Sequence, residues 1–301
     1  MNEPVWPFPV VPADADAARA SGPLRLPYDD LTQGGQVKLT SLPLAIGRVC
    51  FEELWVKSPL VGIHGSGVFP ILTRIVLESD ANTTLLGAAL EGRGAMYVAH
   101  EPDAQGHVQA LILNMTADVY GPLGRSHGPQ LEGAGKQVRI GRVFAEHVFT
   151  KPFAPAGERK VLRFDLPGVE PVPRVQHART RPATLLALPA AATPLDADFT
   201  PDIAPWVFGL MHTDHNQHVN SLVYARMFEE AALRRLHEHG QSTHRLARMM
   251  ELVYRKPCFS GERLSCMLRA FRVGDQLGVV GYLGAPNTPP EKAHCTLRAL
   301  L

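Results

Sequence analysis

The feature that most constrains this chain is one amphipathic run at 222–239, placed between a short apolar stretch and a series of strand-like segments. At about 100° per residue, Val223, Tyr224, Met227, Phe228, Ala231 and Ala232 share one half of a helix surface. Arg226, Glu229, Glu230 and His237 fall on the other half. A helix with a single apolar face needs a partner surface to bury it, and Gly240 supplies a stop. Strand-like runs follow at 246–256, 263–273, 277–283 and 293–300. Phe259-Ser260-Gly261-Glu262 and Gly274-Asp275 are suitable turns between them. Ahead of the helix, 206–211 reads as a short apolar strand and 213–221 as a polar connection.

Strand, one long helix, then antiparallel strands is the element order of a hotdog fold, in which a curved sheet wraps a central helix. The first half can be read in the same order. Residues 37–55 alternate loosely, as one or two strands, and a helix is predicted over 71–78. Strands are predicted at 85–99, 108–120 and 138–150, each rich in Val, Ile, Leu or aromatics and bounded by turn residues. The expected fold is therefore α+β, a double hotdog with two curved antiparallel sheets, each around its own helix. Residues 165–203 contain seven prolines. Proline fixes φ, and so long a stretch is unusual inside a compact domain, so it reads as a linker. The expected division is an extended segment at 1–35, a first hotdog at 36–164, the linker, and a second hotdog at 204–301.

Composition narrows the function. Thirty basic against twenty-nine acidic residues leave a formal charge of +1, which gives no sequence-wide reason for binding nucleic acid or anionic membranes. Cys50, Cys258, Cys266 and Cys295 form no C-x-x-C pair, so reduced thiols in a cytosolic protein are expected. Met1 to Pro7 lacks a basic start followed by an apolar stretch. No apolar run approaches the ~18 residues of a membrane span. The cytoplasm is the expected location.

The chemistry is concentrated in His212-Thr213-Asp214-His215-Asn216-Gln217-His218-Val219-Asn220-Ser221-Leu222-Val223-Tyr224. This segment resembles the active-site pattern D-x-N-Q-H-V-N-N-x-x-Y of hotdog acyl-acyl-carrier-protein thioesterases. Asp214, Asn216, Gln217, His218, Val219, Asn220 and Tyr224 match it, with Ser221 where a second Asn is common. Leu252-Val253-Tyr254-Arg255-Lys256-Pro257-Cys258 is similar to that family's E-Y-R-R-E-C strand. The resemblance covers about the last 100 residues. It implies a hydrolase of acyl-CoA or acyl-carrier-protein thioesters in fatty acid and lipid metabolism, needing no metal or cofactor. The pantetheine arm and acyl chain would then lie between the two hotdogs, and a homodimer of double hotdogs is one assembly.

The residues suit that chemistry. Asp214 can act as general base, or attack the acyl carbon directly. The first turn of a helix offers unpaired N–H groups and a positive dipole end, so the amides of Val219, Asn220 and Ser221 are the expected oxyanion site, with Tyr224 beside the substrate. Asn216 can donate to the substrate or orient water, and His218 can hydrogen-bond the carboxylate or the thioester oxygen. One departure stands out: where the family places an acid before its cysteine, this chain has Pro257. Glu251 is a candidate replacement, and Cys258 is read as a neighbour rather than the attacker, because nothing near it in sequence lowers its pKa. His212, Asp214, His215 and His218 lack the H-E-x-x-H spacing of a helical zinc site. In the first half, His64 before Gly65-Ser66-Gly67-Val68-Phe69-Pro70 faintly resembles the histidine segment of hotdog dehydratases. That leaves a dehydratase or hydratase, or a non-catalytic acyl-thioester-binding protein, as alternatives.

Overall fold

The computed structural model describes residues 5–301, so the first four residues of the expected N-terminal segment lie outside the described residues. The chain divides into two compact units. One is 9–179; the other joins 180–301 with the N-terminal residues up to Phe8.

In the first unit, β1 (Ala18–Leu24), β2 (Phe69–Ser79), β3 (Leu90–Pro102), β4 (Val108–Pro122) and β5 (Gln137–Thr150) form an antiparallel sheet in the order β1-β3-β4-β5-β2. The helix of this unit is Ile46–Trp55, not the stretch at 71–78. Two expectations change here for one reason each. The helix is wound wide, with the Val56 amide bonded five residues back to Phe51 O, so its apolar residues do not repeat every 3.6 positions. The segment read as a helix is part of β2, where Arg74 to Leu77 are consecutively buried. A strand covered on both faces loses the period-two alternation that marks it.

The helix lies close to β3 because β3 carries glycine where it passes. A Cβ on Gly94 would stand 2.9 Å from Val49 and 3.1 Å from Cys50 Sγ. The outer face of the sheet is covered by the chain's own extended segments: Val11, Ala15, Ala17 and Val175 pack on Tyr97, Ala99 and Ile112. The first part of the proline-rich stretch is thus tied down. His100 N–H donates to Val175 O at 2.9 Å, His177 approaches Glu146 at 2.7 Å, and Arg179 donates to Glu101 at 2.7 Å.

The rest of that stretch belongs to the second unit. It contains a short helix, α1 (Pro182–Leu186), and the two-residue strands β6 (Thr193–Pro194) and β7 (Thr200–Pro201), which pair along β10 (Arg263–Val273) together with β8 (Trp206–Val207). Only these two residues of the run expected at 206–211 are strand; Leu210–His212 is a helical turn. β9 (Met249–Tyr254), β11 (Gln276–Gly284) and β12 (Cys295–Leu300) complete an antiparallel sheet in the order β9-β12-β11-β10. The central helix, α2 (Ser221–Glu238), starts one residue before and stops one before the periodicity-based bounds. Tyr224, Ala225, Phe228, Ala231, Ala232 and Leu236 are its buried residues.

Phe228 packs where β11 has Gly281, whose Cβ would stand 3.0 Å from that ring and 2.6 Å from Met267 O. Asp196, 5% exposed, ties the former linker to the helix and sheet. It accepts from Arg235, from the Ala270 amide at 2.7 Å, and pairs with His239 at 2.7 Å. Burial pushes the Asp196 carboxyl up, but Arg235, the Ala270 amide and His239 together hold it below the usual range.

Gly281→Ala should cost about 2 kcal/mol through overpacking, whereas Gly47→Ala, where a Cβ meets nothing within 4 Å, should be neutral or stabilising; denaturant unfolding measures both. A carboxyl with a lowered folded pKa stabilises fully above its unfolded value of about 3.9 and loses that contribution as pH falls through the folded value. Asp196→Asn should therefore lower stability by about 3 kcal/mol at pH 7, and the gap to wild type should narrow as unfolding is measured at pH values below about 4.

Candidate active site

The motif occupies the connection between Leu210–His212 and α2. Thr213 and Val219 form an antiparallel bridge that closes a small loop, and Gln217 takes a left-handed φ of 64° at its far end. Asp214 organises the loop. Its Oδ1 accepts from the Asn216 amide at 2.9 Å and its Oδ2 from Asn220 Nδ2 at 2.9 Å. Its own amide donates to His218 O at 3.2 Å, and its carbonyl accepts from the Gln217 amide at 2.9 Å. Asn220 is the N-cap of α2, its Oδ1 accepting from the Leu222 amide at 2.9 Å. One asparagine side chain thus links the Asp214 carboxylate to the tip of the helix.

The amides expected at the oxyanion site are mostly in use. Val219 N–H donates to Cys258 O at 2.8 Å, and Asn220 N–H to His212 O at 2.9 Å. Among the described residues, the Ser221 amide in the first turn of α2 has no hydrogen-bond partner. It remains available, at the positive end of an eighteen-residue helix. His218 is half-buried and its Nδ1 lies 3.1 Å from Val219 O. A carbonyl there makes Nδ1 the donor, so in the neutral ring Nε2 is the acceptor. Asn216 presents an exposed side chain.

Tyr224 is 2% exposed. Its hydroxyl accepts from the Cys258 amide at 3.0 Å, and its ring stands 5.6 Å from that of Tyr254. The structure therefore makes it a pillar between α2 and the segment after β9. Glu251 is fully buried, and Arg298 donates to its carboxylate at 2.8 and 2.5 Å across the β9–β12 pairing. The Trp6 ring sits 4.3 Å from that guanidinium. Glu251 is thus engaged within the sheet. The carboxylate that does stand beside Cys258 is Glu262, together with His294. Neither is apparent in the sequence: Glu262 reads as a turn residue and His294 as part of the expected strand at 293–300, and only the fold brings them to Cys258. Burial pushes the Cys258 thiol up to about 11, so at neutral pH it is a thiol and not a nucleophilic thiolate. The other three cysteines are also buried and unpaired by disulfides.

His64 lies on the helical turn Pro59–Ser66 of the first unit. Its ring stacks on Phe69 at 5.2 Å, lies tilted against Trp55 at 5.7 Å and, among the described residues, forms no ion pair. No described helix is long and apolar enough to cross a membrane.

Residues 216–284 match the family model described as Thioesterase superfamily. The match opens at Asn216, inside the loop, and runs to the end of β11. No curated protein matches the chain. Among solved structures, it is similar to an acyl-ACP thioesterase from Bacteroides thetaiotaomicron, at 14% identity with 94% of this chain and 97% of that one covered and a TM-score of 0.55. It is also similar to the 12:0-ACP thioesterase from Umbellularia californica, at 10% identity, 94% and 93% coverage and a TM-score of 0.55. The chain has a hotdog fold, and residues 216–284 of its second unit are similar to the Thioesterase superfamily.

Proposed function

We propose that this chain hydrolyses an acyl thioester of coenzyme A or an acyl carrier protein, with the loop before α2 supplying the reacting groups. The observation that carries this reading is the Asp214 carboxylate, fixed by Asn216 N–H and Asn220 Nδ2 beside a helix start with an uncommitted Ser221 amide. Likeness to thioesterases over the full fold agrees with it.

In this reading Asp214 takes a proton from water, and the water oxygen bonds to the acyl carbon. Base catalysis is preferred to direct attack because hydrogen bonds hold both carboxylate oxygens in the loop, as a fixed acceptor for a proton of water. The Ser221 amide and the helix dipole stabilise the oxyanion. When the tetrahedral intermediate collapses, the C–S bond breaks and the sulfur leaves. A thiol of pKa about 8.5 needs little help in leaving. The proton held by Asp214 returns to the thiolate, directly or through His218 Nε2, giving a carboxylic acid and a free thiol. In the same reading Asn216, exposed at the loop tip, hydrogen-bonds the substrate. Cys258 and Tyr224 support the loop from below without entering the reaction.

Turnover of a panel of acyl-CoA and acyl-carrier-protein thioesters tests this. Asp214→Asn should reduce kcat by at least a hundredfold, the scale of a general base, with a native circular-dichroism spectrum and a thermal transition within a few degrees of wild type. Acyl thioester binding without turnover in the wild type would instead identify a binding protein. Full activity in the Asp214 variant would remove that residue from the mechanism.

A further inference from the structure

We propose that Cys258, Glu262 and His294 form a binding site for a divalent transition-metal ion of the zinc type. The three residues come from separate pieces of the second unit: Cys258 follows β9, Glu262 immediately precedes β10, and His294 immediately precedes β12. One ligand atom from each lies within 4.8 Å of the other two. Cys258 Sγ and His294 Nδ1 are 3.4 Å apart. Bonds of about 2.3 Å to sulfur and about 2.0 Å to nitrogen, opened to a tetrahedral angle, place two such ligands roughly 3.5 Å from one another. The Cys258–His294 edge therefore already has the spacing of two ligands on one ion.

The donor set selects the class of ion. A thiolate, an imidazole and a carboxylate suit zinc or cobalt, whereas magnesium and calcium prefer oxygen alone. Three protein ligands leave a fourth position for water. Cys258 is buried while Glu262 and His294 are half-buried, so two of the three ligands reach solvent. The ligands are also held from behind, as metal ligands need to be. Glu262 Oε2 accepts from the Phe259 amide at 2.9 Å, and the Cys258 amide donates to the Tyr224 hydroxyl at 3.0 Å.

Without the ion, His294 Nδ1 lies 3.3 Å from Pro257 O and faces Cys258 Sγ, so its hydrogen serves both as acceptors. On binding, that hydrogen moves to Nε2, leaving the imidazole neutral, and the Cys258 thiol releases one proton to solvent. Affinity should accordingly rise with pH through the neutral range. The ion would cross-link the three segments beneath the Val219 amide and the Tyr224 hydroxyl, which steadies the base of the loop. None of Asp214, Asn216 or His218 takes part, so the site stands or falls independently of the hydrolase reading.

Titration of the full, metal-stripped chain with Co²⁺ tests the site without any activity measurement. One equivalent should produce a thiolate-to-cobalt charge-transfer band in the near ultraviolet, with visible bands of tetrahedral intensity, and Zn²⁺ should abolish both by displacement. Cys258→Ser should remove the charge-transfer band, while Cys50→Ser should leave it intact. His294→Gln, at a half-buried position that tolerates a polar side chain, should weaken binding at least tenfold and serves if the cysteine variant does not fold. Absence of the band in wild type, its survival in Cys258→Ser, or unchanged affinity in His294→Gln would overturn the proposal.

Discussion

The hydrogen bond from Asn220 Nδ2 to Asp214 Oδ2 is the constraint on which the site depends. Asn220 uses its other side-chain atom to cap α2, so loop and helix share one residue and cannot move apart without breaking one of the two bonds. Each is of ordinary strength, about 1 kcal/mol net, more where a charge is involved. Their value is positional. They set a carboxylate next to the positive end of a helix whose first amides would otherwise be satisfied by water. The Val219 amide adds a third tie, to Cys258 O, so the loop is held from the side of the sheet as well.

The helix can occupy that place because the strands beneath it yield room. In the second unit Gly281 admits the Phe228 ring, and in the first Gly92 and Gly94 admit Val49 and Cys50. Both units thus solve the burial of one apolar helix face with the same device, a strand that gives up side chains where the helix crosses. Polar anchors then fasten what the sheets leave loose. Asp196 and Asp202 hold the segment before the loop through Arg235 and Arg234, with Arg234 donating to Asp202 at 3.0 and 2.6 Å. Buried pairs of this kind add less stability than they add definition of position, and here they define the edge from which the motif departs.

Much of the second unit was legible in the sequence because its signals are local. The apolar positions of α2 repeat at the helical period, Asn220 is a capping residue, and the strands after it are bounded by turns. The first unit was harder. Ile46 to Trp55 is wound too wide for a 3.6-residue repeat, and β2 is covered on both faces, so helix and strand exchanged their usual signatures there. The proline-rich stretch read as a spacer because proline disfavours regular structure, yet its parts are held by long-range contacts such as His177 to Glu146 and Asp196 to Ala270. The site shows the same division. Asp214, Asn216 and His218 share one loop and could be found by pattern. The commitment of Glu251 to Arg298, and the meeting of Cys258 with Glu262 and His294, depend on strand register, which no short motif encodes.

The proposed mechanism requires a thioester carbonyl to dock at the Ser221 amide, within reach of Asp214. A crystal structure with a ketone analogue, in which a methylene replaces the thioester sulfur, tests it most directly. The ketone oxygen should lie within hydrogen-bond distance of the Ser221 amide, with a water or the carbonyl carbon against an Asp214 oxygen. An analogue bound with its carbonyl away from the start of α2, or with the Asp214 side chain turned from it, would contradict the account.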